Sequence, residues 1–499
     1  MKKFELVRRA LYIAVGQSFV KTVEFVAAIV LIRLLSPEDW STVALALTIY
    51  HSATGLGGLN IQDGIYYFYA RVDAHKRRAL AVQTMGLLSA SGVLVAAIVL
   101  GVGPWLESRG HAIGALIPWL SLAVLLDLPT SCASQLLVAA ERPKWASIFD
   151  TSMAAIKLGA MTVPLALGYD VVASAQGLAA YAVLRLGVCA VLLPRVLPPG
   201  RARIELGFVK AQLVYTAPLS LSIATSVLNR YIDKWIVAGL APDGFGAHAF
   251  AAQEVPFVPL LGFAMGTVLA TRFAHAFRTG RRDRALSYWL AATSRVSLIV
   301  GPVTIGLILC APEAVALLFE PSYSIAVLPF QIYSLILLHR VMAYGMILTT
   351  AGKTRLLWVT SLVMLGLNTL FSVPLTYFFG IAGAALGTML AYVPNLVFFL
   401  HCIARVMQTS LAAVFPWRRY GRILGAALAS AGLAFWAAGF AASTDARLAI
   451  KASVFALCYL LLARLFALGR DLPSVPSDDA SFAGELGPVN TTEAKPAAA

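Results

Sequence analysis

Apolar stretches of about 20 residues recur from Leu11 almost to the C-terminus, each long enough to cross the hydrocarbon core of a bilayer as a helix. Lipid offers no partner for a backbone N–H or C=O, so such a chain is confined to helices that satisfy their own backbone. About fourteen spans are predicted, at roughly 10–35, 42–70, 79–103, 113–139, 145–168, 171–194, 213–240, 246–271, 286–310, 324–350, 355–378, 380–404, 421–441 and 449–467. With 59% hydrophobic and 13% charged residues and a mean hydropathy of +0.79, a soluble globular fold is excluded. The expectation is an all-α integral membrane protein. Its first apolar run is followed by no small-residue cleavage site and reads as a retained helix.

A net charge of +15 would suggest nucleic acid in a soluble protein, but here the cations mark topology. Every second connection is basic, beginning with Lys2, Lys3, Arg8 and Arg9, then Arg71 to Arg78, Arg142 and Lys144, and so on to Arg464 and Arg470. The intervening connections hold only Arg109, Arg447 and Lys451. By the positive-inside rule both termini are cytoplasmic and the number of spans is even, as expected of a multi-pass protein of a bacterial inner membrane. No nucleic-acid partner is implied. The tail 471–499 is expected to be disordered. The five cysteines fall within spans without CxxC spacing, so neither disulfides nor a metal site is indicated.

Leu35-Ser36-Pro37-Glu38-Asp39-Trp40-Ser41 matches Leu240-Ala241-Pro242-Asp243-Gly244-Phe245-Gly246 at an offset of 205. Ala180-Tyr181 matches Ala391-Tyr392 at an offset of 211. Two six-helix lobes follow, 1–205 and 206–405, with a transmembrane hairpin at 406–470. Both copies start on the same side, which makes the repeat a parallel one about an axis along the membrane normal, with a central cavity expected between the lobes.

Ionisable residues inside spans are costly, about 2.5 to 3.5 kcal/mol each at mid-bilayer on insertion scales, and must face other helices or water. Cations predominate among them. Gln17, Lys21 and Glu24 form a polar stripe on span one, where Lys21 and Glu24 contact cargo or neutralise each other. Arg33, near a helix end, is placed to snorkel. Lys157 and Arg185 lie near mid-depth and are assigned to cargo. Asp63 is a gating or pairing residue close to the cytoplasmic end. Asp127, beside Pro129, is either a proton or sodium coupling site or the ion-pair partner of Lys157 or Arg185. In the second lobe, Arg295 and Arg340 fall at similar depth and can meet a head group together, whereas His339 points away from Arg340 and serves packing. Gly383 and Gly387 suit close helix contact. On span seven, Asp233 and Lys234 are expected to pair with Glu254 near the periplasmic gate, leaving Arg230, on the face of Ser222 and Ser226, for an anionic cargo.

The chain resembles the polysaccharide transporter and O-antigen flippase family of the multidrug/oligosaccharidyl-lipid/polysaccharide superfamily. The likeness rests on Leu34-Leu35-Ser36-Pro37-Glu38-Asp39-Trp40, Ile232-Asp233-Lys234, Leu318-Phe319-Glu320-Pro321-Ser322-Tyr323, Ala351-Gly352-Lys353-Thr354-Arg355 and Gly380-Ile381-Ala382-Gly383-Ala384-Ala385, and covers about residues 5–405. It implies alternating-access movement of undecaprenyl-diphosphate-linked oligosaccharides to the periplasmic leaflet for lipopolysaccharide or exopolysaccharide assembly, alongside a polymerase and chain-length machinery. The excess of cations inside the spans suits a diphosphate. A cation-coupled multidrug exporter should lean the other way; a peptidoglycan lipid flippase of the same superfamily would share the span count. An integral-membrane polymerase or ligase would be expected to carry a large periplasmic loop, and none is predicted. No nucleotide-binding loop, GxSxG or metal-spaced His pair occurs, so the chain is expected to be no enzyme, to need no cofactor, and to draw on H+ or Na+ if it is coupled.

Overall fold

A computed structural model describes residues 22, 25, 26, 28–199, 205–253, 255 and 257–469, and within them the chain is helical, with no strand. Lys21, Glu24 and Glu254, together with the tail 471–499, lie outside the described residues. Among the described residues, eight helices are long and apolar enough to cross a membrane, or nine if the pair Leu206–Ala217 and Leu219–Leu240, bent by 49°, forms one span. Spans eleven and twelve run together as Thr354–Met407. Its 54 residues would reach about 81 Å if straight, more than twice a bilayer core. The run turns instead at Gly380, whose φ of 56° and ψ of −140° suit glycine alone.

Several predicted spans are broken rather than continuous. Span two is Pro37–Gly57, then a 3₁₀ turn at Ile61–Asp63 and Gly64–Tyr69. Span four stops at Asp127, because Pro129 brings no N–H and crowds the preceding turn. Hydroxyls bond back to carbonyls across the break: Thr130 donates to Asp127 O and Ser131 to Leu128 O, both at 2.7 Å. Span ten breaks likewise at Leu337–His339 before resuming at Tyr344–Thr350. The offset of 211 takes Pro129 to Arg340, so the two halves of the sequence break at matching places.

Small residues let the helices approach. A Cβ on Gly177 would fall 1.8 Å from Ala160 O, on Gly383 1.9 Å from Leu375 O, and on Gly387 2.5 Å from Ser372 Cα. Such contacts drive association where lipid removes the hydrophobic difference between packed and exposed helices.

Three apolar cores result. The first holds the N-terminal half, including Trp40, Ile49, Leu120 and Leu128, and extends into the second half of the sequence at Val237, Phe245, Val315 and Ala384. The second gathers Phe273, Trp289, Ile347 and Ile403, and the third seats the last two helices through Ile423, Ala427, Phe455 and Tyr459 against Ile305.

The halves touch along the whole of spans two and seven. Trp235 Nε1 donates to Ser52 Oγ at 3.2 Å, a Cβ on Gly55 would lie 3.1 Å from Val227, and Tyr67 stacks on Tyr215 with centroids 4.1 Å apart. At the basic end Gln83 donates to Gln212 at 2.9 Å, and Gln212 to Thr84 at 2.7 Å, all buried. At the far end Trp40 Nε1 donates to Gly246 O at 2.9 Å. There Arg109 and His111 also donate to Gly239 O and Ala238 O, at 3.1 and 2.9 Å. Those carbonyls belong to the last turn of Leu206–Leu240 and have no partner within their own helix. The two halves of the sequence are thus in contact at both ends.

Candidate functional site

In the N-terminal half the break at Pro129 sets the carboxylate of Asp127 among four helices. Arg185 pairs with its Oδ1, and the Tyr50 hydroxyl donates to its Oδ2 at 2.5 Å. Beside this group Lys157 donates to His51 Nε2 at 3.4 Å and stands 5.4 Å from the Tyr50 ring centre. Asp150, on the same helix as Lys157, accepts from Ser134 at 2.6 Å. Arg185 is thus committed to Asp127 and to the Phe149 ring, 5.7 Å away, which is not the arrangement of a cargo cation. Asp63 is exposed at the basic end, with Gln135 Nε2 at 3.5 Å.

Span seven presents a second group. Asp233 is buried, and its carboxylate accepts from the Tyr333 hydroxyl at 2.7 Å and from the Lys234 backbone N–H at 2.9 Å. His248 Nε2 lies 3.8 Å from Oδ2, with its ring 5.7 Å from that of Tyr333. The described partners of Asp233 are thus a tyrosine and a histidine that sequence spacing does not single out, while Glu254, the third expected member of its network, lies outside the described residues. Lys234 is half-buried, 5.3 Å from the Tyr231 ring centre.

Arg230, one turn deeper, is exposed and makes no hydrogen bond or ion pair among the described residues. It shares its helix face with Ser222 and Ser226. Nearby, Asn229 is anchored to Ser361 O at 2.8 Å. Arg295 is half-buried on Arg282–Leu318. Arg340 lies in the break of span ten, 5.9 Å from the Tyr392 ring. His339 also meets Tyr392, at 4.7 Å, and donates to Ile336 O at 2.7 Å. His339 is packed among rings, as expected, while sharing Tyr392 with Arg340.

Two further placements differ from expectation. Lys451, expected in a connection, is buried in Thr444–Leu465 and donates to Glu313 at 2.6 Å and Leu309 O at 3.2 Å, tying the last helix to span nine. Arg33 does not merely reach for water but donates to Leu318 O at 3.2 Å. No group of three or more His, Cys, Asp or Glu that could hold a metal occurs among the described residues.

Residues 6–269 match a family model described as polysaccharide biosynthesis protein. The succinoglycan biosynthesis transport protein ExoT of Rhizobium meliloti (strain 1021) is 24% identical over 320 residues, 61% of this chain and 60% of its own length. The alignment thus spans less than two thirds of that relative. Among solved structures, the lipid II flippase MurJ in an inward closed conformation superposes with a TM-score of 0.74, covering 91% of this chain and 98% of its own, at 12% identity. An inward-facing multidrug resistance MATE family transporter of the MOP superfamily gives 0.60, covering 79% and 96%, at 14% identity. At such identities the likeness is one of fold. With more than half of its length matched and its helices arranged as in MOP superfamily transporters, the chain belongs to the polysaccharide biosynthesis protein family.

Proposed function

We propose that the chain is a flippase for polyprenyl-diphosphate-linked oligosaccharides, taking them up at the basic, cytoplasmic end and releasing them at the far, periplasmic end of a bacterial inner membrane. The observation that carries this reading is Arg230. Of the span-seven charges in the cluster with Asp233 and Lys234, it is the exposed one, without a partner among the described residues, on the helix that joins the two halves. A guanidinium there can receive a diphosphate through charge-assisted, bidentate hydrogen bonds. Lys157 and Arg340 are half-buried cations of the first and second halves that can share the load. Contacts between the two halves of the sequence at both ends suit an occluded step of alternating access.

Transport against a gradient needs a coupling ion, H+ or Na+, and a polymerase with chain-length machinery would draw the product away. The test is mass spectrometry of lipid-linked oligosaccharides in a deletion strain. Accumulation of undecaprenyl-diphosphate repeat units is expected, and unaltered polysaccharide export with no such accumulation overturns the reading. The superposition on MurJ favours a second reading, a peptidoglycan lipid flippase; failure of the deletion strain to grow, with accumulation of the peptidoglycan precursor, would select it.

A further inference from the structure

His248 sits on Phe245–Ala251, fully buried, and neither ring nitrogen has a hydrogen-bond partner among the described residues. Most buried polar groups are paired, so this imidazole calls for an explanation. The groups facing it are few. Span seven supplies Asp233, 3.8 Å away, with Lys234 next in sequence; span ten supplies the edge of Tyr333. Glu254, on its own span, lies outside the described residues. The Asp233 carboxylate, with two donors already bound, still has lone pairs to offer.

We propose that His248 and Asp233 form the binding site for the coupling ion, and that the ion is a proton. A proton from hydronium forms an N–H bond on the lone pair of the free ring nitrogen, and the imidazolium so formed pairs with the Asp233 carboxylate; release breaks that N–H bond and returns the proton to water. A nitrogen, one carboxylate and a phenol suit this better than a hard metal cation, which favours a shell of oxygens.

Access to the site is tied to the far-end contact. Gly246, two residues from His248, holds the Trp40 indole, and the short helix packs on Pro37–Gly57. In the proposed cycle the imidazole is dry while that contact holds and hydrated when it parts. A charged imidazolium is favoured where water can solvate it, so protonation favours the open state and opening favours protonation. The proposal rests on the coupled-transport reading above but is tested without cargo.

The test is hydrogen–deuterium exchange of the purified full chain at pH 7.5 and pH 5.5, corrected for intrinsic exchange chemistry. Loss of protection in residues 37–45 and 245–251 at the lower pH is expected in the wild type and in His275→Gln. The response should vanish in His248→Gln and in Asp233→Asn. No pH response in the wild type, or an unchanged response in His248→Gln, overturns the proposal, whatever the deletion strain shows about cargo.

Discussion

The two charged groups use similar residues differently. In the N-terminal half, Asp127 is bound by an arginine and a tyrosine, so its charge is balanced by a strong cation. On span seven, Asp233 has a tyrosine and a histidine, while the side chains of Arg230 and Lys234 nearby stay outside its hydrogen bonds. The first arrangement locks four helices together. The second leaves a cation exposed and a titratable pair beside a contact between the halves. Buried charge serves cohesion where it is balanced, and remains available for exchange where it is not.

The largest expected effect is at Arg185→Ala, which strands the Asp127 carboxylate and should cost about 3–5 kcal/mol of stability in thermal unfolding of the detergent-solubilised protein. Adding Asp127→Ala should recover part of it. An unchanged unfolding temperature would erase the contrast and return Arg185 to cargo. Next comes Tyr333→Phe, which removes one donor to a carboxylate and should cost about 1.5–3 kcal/mol in the same assay. A cost as large as that of Arg185→Ala would make the second group structural too. Smallest in stability is Arg230→Ala, expected within about 0.5 kcal/mol of wild type because no described contact is lost. Export of polysaccharide should nevertheless fail in that variant; near-normal export would return Arg230 to a structural role.

Much of this is legible in the sequence. The all-helical, membrane-spanning character follows from apolar length, and the Asp127–Arg185 pair is one of two readings that the cost of a mid-membrane carboxylate allows. Gly383 and Gly387 announce close packing by their spacing. The partners of Asp233 are not legible, because Tyr333 is 100 residues away and tyrosines in spans are ordinarily packing or interface residues. Lys451 misleads for a related reason. A lysine at the edge of a predicted span reads as a loop residue until a carboxylate on another helix, Glu313, is seen beside it. The breaks in spans two, four and ten are hidden by hydropathy, which counts apolar residues without regard to where the backbone turns. Pro129, and the Gly57-Gly58-Leu59-Asn60 run before the break in span two, give local signs.

Arg109 and His111 complete the end of a helix in the opposite half of the molecule. That end is not self-sufficient: when the halves part, two carbonyls lose their donors and must be rehydrated. Separation at the far end therefore takes up water, and solutes that lower water activity should hold it shut.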